Sequence, residues 1–591
     1  MKNIISLIVL GSFLTASLFA QGKGQKTIKK SPKIKKGELE FSNSQNTQDY
    51  LDMLEKAFYK VRESYVDSVN ESEIIKAGIK GMMTPLDPYT RFLSGSSKDR
   101  LDMLRTGKYG GVGIQIGLRR DTLTVLNPFE DSPAYTEGIH SGDQILMIDS
   151  VKTKGMTLND ASKLIKGELG SVVELTIFRP SARRKISFEL TRSNIIIKHV
   201  PYWGVDENGI GYIRVTKFSR NTAKDFGIGL QELIDTDDLK GLIIDLRGNS
   251  GGLLSASISM LDKLTDRGLN LLKTNGRIPK SKREMNSRRA PKLPPDVPLA
   301  VLINRSSASA SEIVSGVIQD LDRGVVIGQK SFGKGLVQSM YNLNDTTTLK
   351  VTTAKYYTPS GRLIQKEDYF KKGFLADGFN DEDSLFSTRG GRQVRGGGGI
   401  SPDINVTQKP LPSYVQGLWR SGVFLAFAAE YVPMNNIQAP IIITEKIYKD
   451  FEIFLDEYSI KYKLSGEQDL SKLKKALKKE KDIIEKNTFS LIFWKKKKTA
   501  IEVLTKDIDR YFSKKRAGQY WNDNNKKWIE NGLLREMSLV SAGEKEKIKV
   551  SLYEDVVYKE ASEVLLDLNR YFDILEPDVE SIDSNSIFKS E

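Results

Sequence analysis

The spacing of apolar residues divides the chain into segments of different kinds. Between Thr47 and Met83 apolar residues recur every three or four positions, which predicts packed helices. From about Tyr109 they come in short runs typical of strands, with one helix predicted over Asn159–Ile165. Beyond about Leu411 the pattern is helical again and rich in lysine.

The strand-rich part of the chain has two patterns. Its first 85 residues or so hold five or six short strands, including Val112–Ile116, Leu123–Val125, Gln144–Ile148 and Val172–Phe178, and predict a small, partly open barrel. Strands then alternate with helices, as Ile210–Val215, Ala223–Ile234, Gly241–Leu246, Leu299–Ile303, Ser311–Leu321 and Gly324–Ile327. Such alternation is typical of an α/β sheet covered by helices.

The first twenty residues have the pattern of a secretory signal peptide. Lys2 precedes an apolar run from Ile4 to Leu10, and the small residue Ala20 marks the expected cleavage site. Residues 21–36 then carry seven lysines and no acidic residue, which indicates a solvated basic arm or one attracted to anionic surfaces. We therefore expect a periplasmic protein that contacts the anionic envelope peripherally.

Composition excludes several kinds of chemistry. The 591 residues include no cysteine and two histidines, His140 and His199. Thiolate zinc sites, iron–sulfur clusters, disulfides and cysteine nucleophiles are therefore excluded. A hydrolase with this composition is expected to use a base other than histidine, and no metal or organic cofactor is expected. The net charge of +15 is typical of nucleic-acid binding, but the signal peptide argues against that partner.

Ser309 lies where an apolar strand runs directly into an amphipathic helix. Ser309 and Glu312 have the spacing of a capping box, so a plain helix cap explains the serine. The free amides and the positive end of the helix dipole also point toward this position, where they would stabilise a developing oxyanion. This segment alone leaves both interpretations open.

Lys334 lies between glycines in an otherwise apolar segment. The usual pKa of a lysine is about 10.4, and burial among apolar residues would lower it toward the range of a general base. Gln338 follows four residues later, on the same face of a predicted strand, where its carbonyl oxygen could orient the amine. A turn lysine and a phosphate loop are the alternatives, although Gly335 stands where a phosphate loop needs Ser or Thr.

A third polar segment follows the buried strand that ends near Asp245. Its glycine-rich sequence exposes backbone amides that suit an oxyanion hole or an anion nest, and a tight turn is the simpler explanation.

Taken together, these segments resemble the C-terminal processing peptidases, also called tail-specific proteases. The motifs that carry the resemblance are DLRGNSGG (245–252), SASASEI (307–313), FGKG (332–335) with Gln338, LDPYTRFL (86–93) and KYYTPSGRLIQ (355–365). The resemblance covers about Leu51 to Asp403. It implies a multidomain α/β protein with N-terminal helices, an inserted PDZ domain (a small β-barrel with helices) and an α/β protease core, to which a helical C-terminal extension is added.

On this basis the chain divides into signal peptide 1–20, basic linker 21–46, N-terminal helical region 47–104, PDZ domain 105–193, serine protease core 194–410 and helical C-terminal extension 411–591. The resemblance also assigns roles: Ser309 is the nucleophile, Lys334 the base, Gln338 the residue that positions the lysine, and Gly252 and Ala310 the amides of the oxyanion hole. Ser250 stands where many relatives carry proline. The neighbouring Ser307 and Ser311 are the alternative nucleophiles.

The predicted PDZ domain carries its own motif. The residues that resemble a carboxylate-binding loop are Gly110, Gly111, Val112, Gly113 and Ile114. His140 lies beside a second PDZ-like turn and is expected to be a surface residue.

The sequence therefore predicts a serine endopeptidase that captures unstructured C-terminal tails of envelope or secreted proteins and cleaves them with a Ser/Lys dyad. Its expected partners are such protein substrates, and a homo-oligomer or an adaptor protein is a further expectation. The alternatives are a catalytically inert PDZ scaffold and an amidase or esterase that uses the same dyad.

Overall fold

The computed structural model describes residues 44–577, except 237, 367–383, 465, 468, 471, 473–505 and 517. The predicted signal peptide and most of the predicted basic linker lie outside these ranges. The chain forms two compact units, residues 1–77 and residues 78–591, which are described separately below.

The first unit contains helix α1 (Ser44–Ser64) and the start of helix α2 (Glu71–Met83). An ion pair of 2.8 Å between Arg62 and Glu71 joins them. The helices lie where the periodicity predicted them, but the predicted packing of α1 is not observed. Most of its apolar side chains are exposed, Leu51 by 54% and Leu54 by 55%, while Phe58 is half-buried.

In the second unit, the end of α2 is followed by a short strand and a helix, β1 (Arg91–Ser94) and α3 (Ser96–Thr106), and then by a small sheet domain. The elements of that domain are β2 (Lys108–Gly111), β3 (Ile114–Arg119), β4 (Thr122–Pro128), α4 (Pro133–Thr136), β5 (Gln144–Ile148), β6 (Val151–Lys152), α5 (Leu158–Ile165), β7 (Val172–Arg179), β8 (Arg184–Thr191) and β9 (Ser193–Ile196). Strand order in the sheet is β3-β4-β5-β7-β8, with β6 on β5, so β3 is an edge strand.

The start predicted for one strand of this domain is wrong. The strand predicted over Val112–Ile116 begins only at Ile114, because Gly113 has a φ of 78° and interrupts the extended backbone. The residues before it form β2, which pairs with β9 outside the main sheet.

The predicted protease core is built on a six-stranded sheet. Its elements are β10 (Tyr202–Val205), β11 (Ile210–Arg214), α6 (Thr222–Ile234), β12 (Gly241–Asp245), α7 (Leu254–Leu261), β15 (Leu299–Ile303), α8 (Ala310–Asp320), β16 (Val325–Gly328) and β21 (Ile404–Asn405). Strand order is β10-β11-β12-β15-β16-β21, parallel from β11 onward. Helices α6, α7 and α8 pack on one face of this sheet around a fully apolar cluster.

A second, antiparallel sheet completes the core. Its strands are β1, β13 (Asn270–Asn275), β14 (Arg283–Asn286), β17 (Leu336–Asn344) and β18 (Thr347–Tyr357), and they run in the order β1-β18-β13-β14 with β17 also on β18. Two further short strands, β19 (Leu385–Ser387) and β20 (Gln393–Arg395), form a hairpin.

The described C-terminal part is largely helical, as predicted, and two groups of its helices form cores. The first group, with its own aromatic core, comprises α9 (Ser413–Ser421), α10 (Val423–Met434), α11 (Glu445–Leu455) and α12 (Asp523–Ser551). The second group, α13 (Val556–Leu566) and α14 (Leu568–Leu575), covers the other face of the six-stranded sheet. The boundary predicted at residue 410 thus separates α13 and α14 from the sheet that they cover.

The first group of C-terminal helices also contacts the small sheet domain. Asn127 donates a hydrogen bond of 3.0 Å to Glu544, and the Arg120 guanidinium lies 3.9 Å from the centre of the Tyr458 ring. A cavity of about 630 Å³ lies between the two parts. None of the described helices is long and apolar enough to cross a membrane.

Candidate active site

Ser309 occupies a sharp turn between β15 and α8. Its φ of 56° and ψ of −112° are uncommon for a residue with a side chain. The hydroxyls of the two neighbouring serines are buried and used: Ser307 donates to the Leu246 carbonyl at 2.9 Å and Ser311 to the Asn249 carbonyl at 2.8 Å. Ser309 is the partly exposed serine of the three.

Lys334 lies just before β17 and is partly buried. Its amine donates a hydrogen bond of 2.8 Å to Gln338 Oε1 and lies 4.6 Å from the centre of the Tyr89 ring. Burial, and then the positive charge of Lys350, lower the pKa of Lys334 to about 8. In the described part of the chain, no hydrogen bond joins Ser309 Oγ to Lys334 Nζ. The structure thus brings Gln338 to the amine, as the sequence predicted.

The glycine loop after β12 lies against Ser309. A Cβ on Gly251 would be 2.8 Å from the Cβ of Ser309, and one on Gly252 would be 2.0 Å from the Phe218 carbonyl oxygen. The Gly251 amide donates to Asn249 Oδ1 at 2.9 Å. The amides of Gly252 and Ala310, by contrast, have no acceptor among the residues that the structure describes.

Glu312, which the sequence predicted only as part of a helix cap, joins the segments of Ser309 and Lys334. Its fully buried carboxylate accepts four hydrogen bonds, from the amides of Ser309 (2.7 Å), Gly333 (2.6 Å) and Lys334 (2.9 Å) and from the Ser331 hydroxyl (2.6 Å). Burial raises its pKa to about 7, although all four hydrogen bonds favour the ionised form. One carboxylate therefore holds the segments of Ser309 and Lys334 together. One feature of the sequence could have indicated these contacts: Glu312 is a charged residue in an apolar stretch, and a buried charge needs hydrogen-bonding partners.

Two further motif residues, Asp87 and Tyr356, hold the surroundings of Lys334. Asp87 accepts hydrogen bonds from the amides of Tyr89 (2.8 Å) and Thr90 (3.0 Å), which fixes the turn that sets the Tyr89 ring over Lys334. The hydroxyl of Tyr356 donates to the Lys334 carbonyl oxygen. These contacts give the LDPYTRFL and KYYTPSGRLIQ segments a place in the site.

The residues of the predicted carboxylate-binding loop do not all have the same environment. Gly110 and Gly111 lie in β2 and face strand β9. Val112 and Gly113 follow, and their amides have no acceptor in the described ranges. Ile114 opens the edge strand β3, beside which helix α5 packs. The loop therefore places the amides of Val112 and Gly113, which have no acceptor in the described ranges, next to the start of the edge strand β3.

The two histidines differ in exposure. His140 is exposed on the small sheet domain, as predicted. Burial, and then the charge of Lys217, lower the pKa of His199 to about 4. Within the described ranges, no cluster of three or more His, Asp or Glu side chains could hold a metal ion.

Four family models match the chain. Peptidase family S41 matches residues 209–373, and a PDZ domain matches residues 124–179. The C-terminal helical domain of a probable PDZ-protease matches 414–565, and the N-terminal domain of the activating protease CtpB matches 10–96. The predicted multidomain fold class, with N-terminal helices, a PDZ domain, a protease core and a helical C-terminal part, is confirmed.

Several characterised relatives are similar over most of their length. The carboxy-terminal-processing protease of Bartonella bacilliformis is 34% identical over 417 residues, which are 70% of this chain and 84% of that protein. Carboxy-terminal processing protease CtpB of Bacillus subtilis is 31% identical over 339 residues, 55% of this chain and 70% of that protein. The carboxyl-terminal-processing protease of Synechocystis is 34% identical over 339 residues, 56% of this chain and 77% of that protein. The resemblance seen in the motifs is thus confirmed, and the chain belongs to the carboxy-terminal-processing protease family, with a PDZ domain and an S41 peptidase fold.

Proposed function

We propose that the protein is a serine endopeptidase in which Ser309 attacks the peptide bond and Lys334 is the general base. The observation that carries the proposal is the partly buried Lys334 amine, which donates a hydrogen bond to Gln338 and has a pKa of about 8. At that pKa about one lysine in ten is neutral at pH 7, against about one in 3000 at the ordinary value. A neutral amine can take the proton of a serine hydroxyl.

The proposed reaction has two steps. Lys334 moves within hydrogen-bond reach of Ser309 when substrate binds and accepts the hydroxyl proton as Ser309 Oγ attacks the carbonyl carbon. It then donates that proton to the leaving nitrogen as the C–N bond breaks, so that an acyl-enzyme and a neutral Lys334 remain. Water then releases the acyl group. The free amides of Gly252 and Ala310 would hold the oxyanion of each tetrahedral intermediate, as preorganised donors do in other acyl transfers.

Substrate capture is assigned to the PDZ domain. The free amides of Val112 and Gly113 would bind a C-terminal carboxylate, and the open edge of β3 would accept the preceding residues as an added strand. Proteins with unstructured tails in the periplasm or the envelope are the proposed substrates. Fractionation of cells that express the full chain tests the location, and recovery in the cytoplasm would contradict it.

The catalytic assignment is tested with matched serine variants. Ser309→Ala and Lys334→Ala should each abolish cleavage of a peptide with an apolar C-terminus, while Ser307→Ala retains the reaction. Circular dichroism should show that all three variants are folded. Normal turnover by Ser309→Ala would show that the nucleophile is wrong. An inactive wild-type chain that still binds the peptide would favour the inert scaffold, and cleavage confined to small esters would favour an esterase.

A further inference from the structure

The loop that carries the Gly252 amide is attached to the C-terminal extension as well as to the core. It begins at Arg247, two residues after the end of β12 at Asp245, and contains glycines at 248 and 251 with φ of 76° and 90°. Glycines in such conformations give a loop little rigidity of its own. Its shape therefore depends on the contacts that hold it from outside.

Some of those contacts come from the nucleophile segment. The Gly248 amide donates to Asn304 Oδ1 at 3.0 Å, and the Asn249 carbonyl accepts from the Ala308 amide at 3.1 Å. These bonds fix the middle of the loop to the turn that bears Ser309. The start of the loop is held by a different set of groups.

The Arg247 side chain lies between two carboxylates. Its guanidinium donates to Asp245, at 3.0 Å from Nε and 2.6 Å from Nη2, and to Asp555, at 2.9 Å from Nη1 and 2.7 Å from Nη2. The Arg247 side chain is 16% exposed and that of Asp555 is 19% exposed. Paired charge-assisted bonds of this kind fix both position and orientation of the guanidinium.

Asp555 also caps helix α13. Its Oδ1 accepts the amides of Val557 (3.0 Å) and Tyr558 (3.2 Å). Helix α13 is itself anchored on the core sheet through Val557, Ala561 and Leu565. The carboxylate that holds Arg247 is therefore rigidly placed, although 308 residues separate the two in sequence.

We propose that Asp555 is a positioning residue for the oxyanion loop (residues 247–252), acting through Arg247, so that the C-terminal extension takes part in building the active site. The inference rests on the proposed function, because it concerns the amide that would hold the oxyanion. Asp555 touches no reacting atom. Its expected effect is on the transition state rather than on peptide binding.

The test is Asp555→Asn in the full chain. Asparagine keeps an oxygen for the helix cap but places an amide group against the guanidinium and removes the charge. With a fluorogenic peptide that ends in apolar residues, kcat should fall about tenfold, less than the 100-fold or more that loss of an oxyanion donor costs. KM should stay within about twofold, since ground-state binding is unchanged. A peptide aldehyde of the same sequence should bind about tenfold more weakly.

Asp567→Asn is the matched control. Asp567 caps α14 by accepting the Arg570 amide at 3.1 Å, and in the described part of the chain it has no ion pair to the core. This variant should keep wild-type kcat. In an Arg247→Met background, Asp555→Asn should lower kcat little further, because the side chain through which Asp555 acts has been removed.

The inference is overturned if Asp555→Asn keeps wild-type kcat, or if its kcat falls only in proportion to the folded fraction while the aldehyde binds normally. Wild-type activity in Ser309→Ala overturns the proposed function and this inference with it. Loss of activity in Ser309→Ala with full activity in Asp555→Asn overturns this inference alone.

Discussion

The charge of Lys350 should help to set the pH at which the protease works. Lys350 and Thr352 lie two residues apart on β18 and therefore on one face, and Thr352 is paired with Gln338, the partner of Lys334. After burial, the charge of Lys350 is the largest influence that lowers the pKa of Lys334. A neutral residue at 350 should leave Lys334 protonated to a higher pH.

The expected magnitude follows from the pKa of Lys334. A fall from the usual 10.5 to about 8 corresponds to about 3 kcal/mol that disfavours the ammonium form. Wild-type kcat/KM should therefore rise about tenfold per pH unit below 8 and level off above it. In Lys350→Met the midpoint should move upward from about 8 toward 10.5. Activity at pH 7 falls, while the plateau at high pH is retained.

The assay is kcat/KM on a tail peptide from pH 6 to 10.5 at constant ionic strength. Lys240→Met is the control, because Lys240 is an exposed lysine whose ion pair is with Asp238. Its profile should match that of the wild type. A midpoint that does not move in Lys350→Met would refute the electrostatic argument. A wild-type midpoint near 6.5 would instead indicate a histidine base and refute the assignment of Lys334.

Two other substitutions test the contacts of Glu312 in the active site and the binding of a peptide at the PDZ loop. Glu312→Gln should lower kcat by about tenfold or more. The carboxylate oxygen that accepts the amides of Ser309 and Lys334 can be replaced by an NH2 group, which donates instead of accepting. Because the folded-state pKa of Glu312 is raised to about 7, wild-type stability should fall as pH rises from about 4.5 to 7, and denaturation of the variant should lack this dependence. Gly113→Ala should weaken binding of a tail peptide measured by fluorescence anisotropy, because its Cβ would lie 2.2 Å from the Cβ of Ser132. Unchanged binding by a folded Gly113→Ala variant would argue against capture at this loop.

Local sequence patterns correctly predicted features that involve residues close together in the sequence. The strand Leu299–Ile303 was predicted to the residue, because a fully buried apolar run is bounded by Pro298 and the polar Asn304. The spacing of Lys334 and Gln338 likewise predicted a contact that the structure contains. Both results depend on positions a few residues apart.

Contacts between distant segments could not be predicted in this way. Periodicity showed that Glu312 begins a helix, but its four donors come from two segments that only the folded sheet brings together. The pairing of Arg247 with Asp555 spans 308 residues, and no periodic pattern carries that information. Apolar spacing also predicted α1 without showing that its apolar side chains are exposed.

The position of α13 and α14 follows from a general requirement of parallel sheets. Such sheets are covered by helices on both faces, because their strands are apolar on both sides. In this chain α6, α7 and α8 cover one face, and the other presents Ile243, Ala300 and Ile327. Helices α13 and α14, which follow the segment matched by the S41 model, bury that second face. Since α13 begins at the carboxylate that holds Arg247, the element that completes the core also contacts the start of the loop that contains Gly252.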